Sequence, residues 1–254
     1  MSRMLTFHDA AWASARDCAA AGRRADALAF LAPLLSSPDA PQRLVRLAHR
    51  LAARLYAATQ NYRMTRKHLL AAAKLDPTCA EVHYELGLAF ERDPYGCDRR
   101  AARRFRKAVM LVPKEPRYAA ALGRALVRTN RVRAGVKWLT IAAAGAPADP
   151  GVMAVVTDGL CDARRPRLAR KLVAMARFLV PADRAIRKLW DDVNYAAAAA
   201  QSQKVSVVGR KPALLPFLQV VRDGQPTGGV IRRDLASRSA PHLGRLKAYR
   251  TEQG

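Results

Sequence analysis

The hydrophobic positions of residues 46–183 recur with a helical spacing and with a longer fixed period. The stretch "AEVHYELGLAF", residues 80–90, places apolar side chains three and four residues apart, which is typical of an amphipathic helix. Four helical segments of this kind end at prolines spaced 36, 34 and 34 residues apart: Pro77, Pro113, Pro147 and Pro181. A period of this length predicts stacked helical repeats rather than an isolated helix.

Other positions keep the same distance from each proline. A small residue stands five places before it, at Ala72, Ala108, Ala142 and Ala176. A larger apolar residue stands three places earlier still, at Leu69, Phe105, Leu139 and Val173. Small residues let two helices approach closely, and the bulky ones fill the space between them. The pattern therefore predicts two helices per unit, with the proline ending the second helix.

This pattern resembles the tetratricopeptide repeat, a helix–turn–helix unit of about 34 residues. The pairs Leu86-Gly87 and Leu122-Gly123, together with the four prolines, carry the resemblance, which covers residues 46–183. The resemblance implies an all-α fold, a right-handed α-solenoid of four to five repeats. The repeats that it defines are residues 46–79, 80–115, 116–149 and 150–183.

The flanking segments predict three further parts. Residues 1–45 predict a degenerate N-terminal repeat, in which Pro33 lies where the second helix should continue, so we expect that helix to end early or bend. Residues 184–203 predict a capping helix, because one apolar stripe would cover the exposed end of the last repeat. Helical periodicity stops at Lys204, and residues 204–254 predict an irregular, basic and partly ordered C-terminal tail.

Composition adds one strong feature, which is positive charge. Lys and Arg total 45 against 20 Asp and Glu, giving a net charge of +25 and a pI near 11.1. A field of this sign attracts nucleic acid, acidic protein segments or anionic membrane surfaces. An arginine-rich proteome would produce the same composition without any such partner. The charge therefore limits the class of partner without identifying it.

The cysteines and the N-terminus bear on location. The four cysteines, Cys18, Cys79, Cys97 and Cys161, are scattered without a CxxC pair, which argues against a disulfide framework or a structural zinc site. The N-terminus has no uninterrupted apolar stretch, and no segment approaches the length of a membrane span. We therefore expect a cytoplasmic protein.

Residues that could support catalysis are few. The sequence lacks GxxxxGK[S/T], GxGxxG after a strand, HExxH and GxSxG. His49 and His83 hold the same position in successive units, so we expect them to pack rather than to bind metal. Glu81 and Glu85 share a helix face and are expected to pair with neighbouring arginines. We expect no enzymatic activity and no cofactor.

The resemblance also implies where a ligand binds. In tetratricopeptide-repeat proteins the first helices of the repeats line a concave groove. The groove positions of that family include Arg50, Arg54, Tyr84, Arg117 and Arg124 here, together with the acidic Glu81, Glu91 and Asp158, and the capping helix adds Lys188. Guanidinium groups bind carboxylates through two parallel hydrogen bonds. The groove therefore predicts a non-catalytic adaptor or scaffold that binds an extended acidic segment of another protein.

An alternative function follows from the arginine run "RRAARRFRK" in the second unit. Ala101, Phe105 and Ala108 are expected to pack inward. The cations left on the exposed side are Arg99, Arg100, Arg103, Arg104, Arg106 and Lys107. Together with the basic tail they predict binding to nucleic acid or to a ribonucleoprotein, without sequence specificity, through phosphate contacts. A solvated surface without a ligand is the other interpretation, and the partner, the pathway and the oligomeric state stay open.

Overall fold

A computed structural model describes residues 7–208 of the chain, and these form eleven α-helices and no strand. Consecutive helices pack against one another through five helix pairs, and the last helix packs on the last pair. The all-α fold of stacked helix pairs is thereby confirmed. The helices are α1 (Phe7–Ala20), α2 (Arg24–Ser36), α3 (Gln42–Ala58), α4 (Tyr62–Leu75), α5 (Ala80–Arg92), α6 (Asp98–Leu111), α7 (Pro116–Arg128), α8 (Val132–Gly145), α9 (Pro150–Asp162), α10 (Pro166–Leu179) and α11 (Arg184–Val208).

Two sets of helices alternate in the five helix pairs. The A helices are α1, α3, α5, α7 and α9, and the B helices are α2, α4, α6, α8 and α10. Every B helix buries its fourth, eighth and eleventh residues, which lie on one face because of the helical spacing. The buried triplets are Ala27, Leu31 and Leu34; Thr65, Leu69 and Ala72; Ala101, Phe105 and Ala108; Gly135, Leu139 and Ala142; and Ala169, Val173 and Ala176. The α1–α2 pair thus buries the same positions as the four pairs that follow it.

The Leu-Gly pairs mark the closest approach between A and B helices. A Cβ atom added to Gly87 of α5 would lie 2.5 Å from Cε1 of Phe105, a fully buried residue of α6. At Gly123 of α7 it would lie 2.9 Å from the backbone nitrogen of Leu139 in α8. Any side chain at these two positions would force the helices apart, which explains the glycines.

The helix α2 continues past Pro33. It does not end there but continues to Ser36, and the N–H of Ser37 donates to the carbonyl of Pro33. A proline removes only its own N–H from the helix, and Pro33 stands in the last turn. The helix α2 has 13 residues, one fewer than each of the four B helices that follow it.

Most of the predicted boundaries coincide with the ends of helices in the structure. Two of them, the start of the first repeat and the end of the capping helix, do not. The helices α5, α7 and α9 begin at Ala80, Pro116 and Pro150, the first residues of three predicted units. In contrast, α3 begins four residues before the predicted start at Arg46. The last helix, α11, continues five residues beyond 203, because alanine, glutamine and lysine are good helix formers. Residues 1–6 and the rest of the predicted basic tail, 209–254, lie outside the described residues.

The helix α11 packs on the last repeat. Ile186 and Val193 are buried against α9 and α10. The ring of Trp190 lies beneath two guanidinium groups of α10, Arg170 at 5.6 Å and Arg177 at 5.5 Å from its centroid. None of the helices in residues 7–208 is both long enough and apolar enough to cross a bilayer.

Candidate functional site

The A helices α3, α5, α7 and α9 present charges of alternating sign to one another. The side chains that face a neighbouring A helix are basic on α3, acidic on α5, basic on α7 and acidic on α9. This A-helix surface, meaning the solvent-accessible side chains of these four helices, contains five of the six residues predicted to bind a peptide. Each acidic group therefore lies within reach of an arginine on the preceding or following repeat.

Glu85 of α5 is the centre of the first cluster. Its Oε1 accepts hydrogen bonds from Nε and Nη2 of Arg54 at 2.8 and 2.6 Å, and Nη2 of Arg50 lies 3.4 Å away. The Glu85 side chain is only 15% exposed, whereas that of Arg54 is 61% exposed. The second carboxylate oxygen, Oε2, is buried and accepts no hydrogen bond from the described residues. The carboxylate is therefore enclosed by the protein, while the Arg54 guanidinium remains partly solvated.

Glu91 of α5 is the centre of the second cluster, and it is buried more deeply. Arg124 of α7 donates from Nε to Oε1 at 2.9 Å and from Nη2 to Oε2 at 2.7 Å. Arg128 donates to Oε1 at 3.1 Å and also lies 3.5 Å from Asp162 of α9. Burial raises the pKa of the nearby Asp158 carboxyl. These contacts join three successive A helices through charged side chains.

Tyr84 precedes Glu85 in α5 and packs on aromatic rings. Its ring centroid lies 5.0 Å from that of Tyr118 and 5.8 Å from that of Phe105. The hydroxyl of Tyr118 donates to Oε2 of Glu81 at 2.7 Å, and Arg117 lies 3.9 Å from the same carboxylate. Burial raises the pKa of both phenols. Tyr84 is thus half-buried, and only part of its ring is open to a ligand.

The predicted peptide-binding residues are therefore brought together only in part. Arg50 and Arg54 converge on one glutamate, while Arg117 and Arg124 each reach a different carboxylate of α5. Lys188 is exposed on α11 and makes no ion pair with a described residue. The expected pairing of Glu81 and Glu85 with arginines is confirmed. Sequence reasoning missed Arg128, although its position one helical turn after Arg124 places both on the same face.

A small cavity opens on this surface between α3, α4 and α5. Its volume is about 120 Å³, and its walls are largely apolar. Arg54, Glu85 and Arg92 are its charged lining residues, and Arg92 is exposed without an ion pair. The apolar lining residues are Ala53 and Ala57 of α3, Leu69 of α4, and Leu88 and Ala89 of α5. The combination offers an apolar site with net positive charge at its edge.

The arginine run of α6 has the orientation expected from the sequence. Ala101, Phe105 and Ala108 are fully buried. Five of the six cations are exposed and Arg104 is half-buried, and none of the six forms an ion pair with a described carboxylate. These cations therefore differ from those of the A-helix surface, whose charge is largely neutralised by neighbouring repeats.

The two histidines expected to pack, His49 and His83, both lie between helices. His83 is buried, and its ring lies 3.0 Å from the carbonyl of Pro77. Nδ1 of His49 lies 3.0 Å from Nδ1 of His68, a contact between α3 and α4 that sequence reasoning missed. Within residues 7–208 no three groups of the His, Cys, Asp or Glu type are placed to hold a metal ion.

Comparisons with known proteins agree with the helix pairing. No protein-family model matches the chain, and no curated protein matches it. Solved structures do match, and they define the fold as that of tetratricopeptide-repeat proteins. One is YrrB, a tetratricopeptide-repeat protein with an unusual peptide-binding site, at 14% identity and a TM-score of 0.52 over 68% of this chain and 87% of that one.

Two further structures cover more of the chain. A tetratricopeptide-repeat protein of Thermus thermophilus has 14% identity and a TM-score of 0.55, over 74% of this chain and 99% of its own. The MamA RS-1 ArsTM double mutant has 14% identity and a TM-score of 0.58, over 75% of this chain and 98% of its own. At these identities the similarity establishes the fold alone.

Proposed function

We propose that the protein is a non-catalytic adaptor whose A-helix surface binds an extended segment of another protein. The observation that carries this proposal is the apolar cavity between α3, α4 and α5. Its volume is close to that of the engineered cavity of about 150 Å³ that binds benzene, so it is large enough for one apolar side chain. YrrB, which shares the fold, has a peptide-binding site, and this supports the same class of ligand here.

The charges around the cavity specify the segment further. Arg92 is exposed and unpaired, and the largely exposed Arg54 shares its only carboxylate with Arg50. An acidic residue next to the apolar side chain would pair with these guanidinium groups. We therefore propose a segment with an apolar anchor flanked by acidic residues.

The remaining predicted peptide-binding residues differ in how accessible they are to a ligand. Arg124 is 16% exposed and holds Glu91, so a ligand would have to break an existing ion pair to reach it. Arg117 is half-exposed and Lys188 is exposed. They would extend the binding surface beyond the cavity, with Tyr84 as an apolar contact. We place the main acidic contact at Arg54 and Arg92 for this reason.

A peptide panel tests the proposal. Fluorescein-labelled peptides would carry leucine, phenylalanine or serine as the central residue, flanked by glutamate, glutamine or lysine, and binding would be followed by anisotropy. We expect the strongest binding for an apolar centre with glutamate flanks. The variant Ala57→Leu fills the cavity and should weaken binding about tenfold or more, the loss of about 1.4 kcal/mol expected for one poorly seated apolar side chain.

The matched control is Ala58→Leu, which adds the same atoms one residue further along α3, at an exposed position outside the cavity. It should bind like the unaltered protein. Equal losses in the two variants, or no preference for an apolar centre, would show that the cavity is not the anchor site.

A second candidate function is binding of nucleic acid through the α6 cations, Arg99, Arg100, Arg103, Arg104, Arg106 and Lys107. The specific observation in its favour is that these side chains have no carboxylate partner among the described residues. Six phosphate contacts would give a steep salt dependence, with a logarithmic slope of about −4 for a single strand. Replacing Arg103 and Arg106 by glutamine should reduce both the affinity for a polynucleotide and this slope.

The location of the protein is also a proposal. All four cysteines are free, three of them half-buried and Cys18 buried, as expected in a reducing compartment. We propose the cytoplasm on this ground. A fluorescent fusion expressed at native level would test the proposal by its distribution.

A further inference from the structure

The B helices carry a charge pattern that repeats in phase with the fold. In α4, α6, α8 and α10 the second residue is always an arginine, and the sixth is always a lysine or an arginine. The eight side chains are Arg63 and Lys67, Arg99 and Arg103, Arg133 and Lys137, and Arg167 and Lys171. Only α2 departs from the rule, with Ala25 and Ala29 at these positions. The arginine run of α6 supplies just two of the eight.

These cations point away from the A helices. Each stands two residues before a buried position of its helix, at the fourth or the eighth residue. Two residues correspond to about 200° around a helix, which is the opposite side. All eight side chains are exposed, and none forms an ion pair with a described carboxylate. Because successive repeats pack side by side, the eight cations form two rows.

The cations at the second and sixth positions do not stabilise the helices that carry them. A cation at the second residue of a helix opposes the helix dipole, which favours acidic groups at that end by about 0.3–1 kcal/mol. Among the four helices the only acidic residue is Asp98. The repeated arginines thus repel both the dipole and one another. Arginine-rich composition alone would not place a cation at the same two positions in four consecutive repeats.

We propose that the two rows bind the phosphate backbone of a single-stranded nucleic acid that runs across the four repeats. The two cations of one helix are separated by about 6 Å along its axis, and the same pair recurs on the B helix of four consecutive repeats. Such rows match a linear chain of phosphates, to which arginine donates two hydrogen bonds at once. The inference rests on the second candidate function, and it extends that site from one helix to four.

The neighbouring positions favour a phosphate chain over a membrane. A helix that inserts into a membrane interface carries a continuous apolar face beside its cations. On the same side of the four helices, the ninth residue is Leu70, Arg106, Thr140 and Ala174, and the thirteenth is Lys74, Met110, Ala144 and Phe178. No continuous apolar band therefore accompanies the rows. Phe178 is the one aromatic side chain at these positions, so the bases would not be stacked along the strand, and binding would be independent of sequence.

The test uses the full chain and a fluorescein-labelled oligouridylate of about 20 nucleotides, long enough to exceed a single-repeat site. Affinity would be measured by anisotropy between about 50 and 200 mM KCl. The variants Arg133→Gln/Lys137→Gln and Arg167→Gln/Lys171→Gln each remove one pair of row cations. Each should weaken binding and reduce the magnitude of the salt slope by about 1.4, at about 0.7 per phosphate contact.

The matched control is Arg43→Gln/Arg184→Gln, which removes the same charge from exposed and unpaired positions of α3 and α11, outside the rows. It should leave the slope unchanged. If the control lowers the salt slope as much as the row variants do, net charge drives binding. The proposed role of the two rows is then overturned, while binding of nucleic acid stands. If the unaltered protein does not bind the oligouridylate, both the role of the two rows and the second candidate function are overturned. Row-dependent binding to vesicles of phosphatidylglycerol, without binding to the oligouridylate, also overturns the inference in favour of a membrane.

Discussion

Arg124 of α7 and Glu91 of α5 form a two-point ion pair across the boundary between two repeats. Both guanidinium–carboxylate distances are below 3.0 Å, and the Glu91 side chain is only 4% exposed. A buried, two-point geometry of this kind is stronger than a solvent-exposed pair, and its loss leaves a buried charge without a partner. The pair therefore contributes to the order of the repeats as well as to the surface chemistry.

Replacing Glu91 by alanine should lower the free energy of unfolding by about 3 kcal/mol, because Arg124 would remain buried without its partner. Urea unfolding followed by circular dichroism measures the change. Asp17→Ala is the control, since it removes a carboxylate from an exposed pair with Arg16 and should cost less than about 0.5 kcal/mol. Similar losses in the two variants would mean that the buried pair adds nothing specific.

Replacing Gly87 by alanine should destabilise the protein by about 1–3 kcal/mol, because the new methyl group overlaps the ring of Phe105. The double variant Gly87→Ala/Phe105→Leu removes the ring that causes the overlap. Its loss of stability should be smaller than the sum of the two single losses. Additive losses would show that the helices do not meet at this point.

Acid should destabilise the protein through His49 and His68. Burial lowers the pKa of His49 from its usual 6.5, with a further contribution from His68, and burial also lowers the pKa of His68. Because the unfolded chain then binds more protons than the folded one, the free energy of unfolding falls as pH drops below about 6.5. Thermal unfolding between about pH 7.5 and 5 measures the effect.

The variant His68→Leu should flatten this pH dependence without abolishing it. His83 would still contribute, since burial lowers its pKa as well. If the pH dependence is as steep in His68→Leu as in the unaltered protein, the histidine pair is not its source.

A better helix cap should stabilise α8. The side chain of Asn61 caps α4 by accepting from the N–H of Met64 at 3.1 Å, whereas Arg131 holds the equivalent position before α8 without a cap. Arg131→Asn should raise the free energy of unfolding by about 1 kcal/mol, and Asn61→Ala should lower it by about the same amount. A loss in Arg131→Asn would show that the arginine has another role.

The fold could be predicted from the sequence because each unit repeats both its spacing and its steric requirements. The starts of α5, α7 and α9 follow directly from the repeat. The start of α3 at Gln42 does not, because the residues before Arg46 lie outside the recurring positions. The last turn of α11 was missed for a different reason, since Ser206 and Val207 have weak helix preferences that the preceding alanines outweigh.

The ion pairs of the candidate site were harder to predict. The sequence places the arginines on the A helices, but their partners belong to adjacent repeats, and the sequence alone does not state which side chains meet. One signal was present: Arg54 and Glu85 are 31 residues apart, and Glu91 and Arg124 are 33 apart, close to one repeat period. Opposite charges at that separation on equivalent faces indicate contacts between neighbouring repeats.

The alternation of charge along α3, α5, α7 and α9 has a consequence for how such a chain can grow or shrink in evolution. Deleting or duplicating a single helix pair would bring two helices of like sign face to face, so arginines would meet arginines or carboxylates would meet carboxylates. Gaining or losing two consecutive pairs would restore the opposition of charges. Variants of this protein that differ in length should therefore differ by an even number of helix pairs within this region.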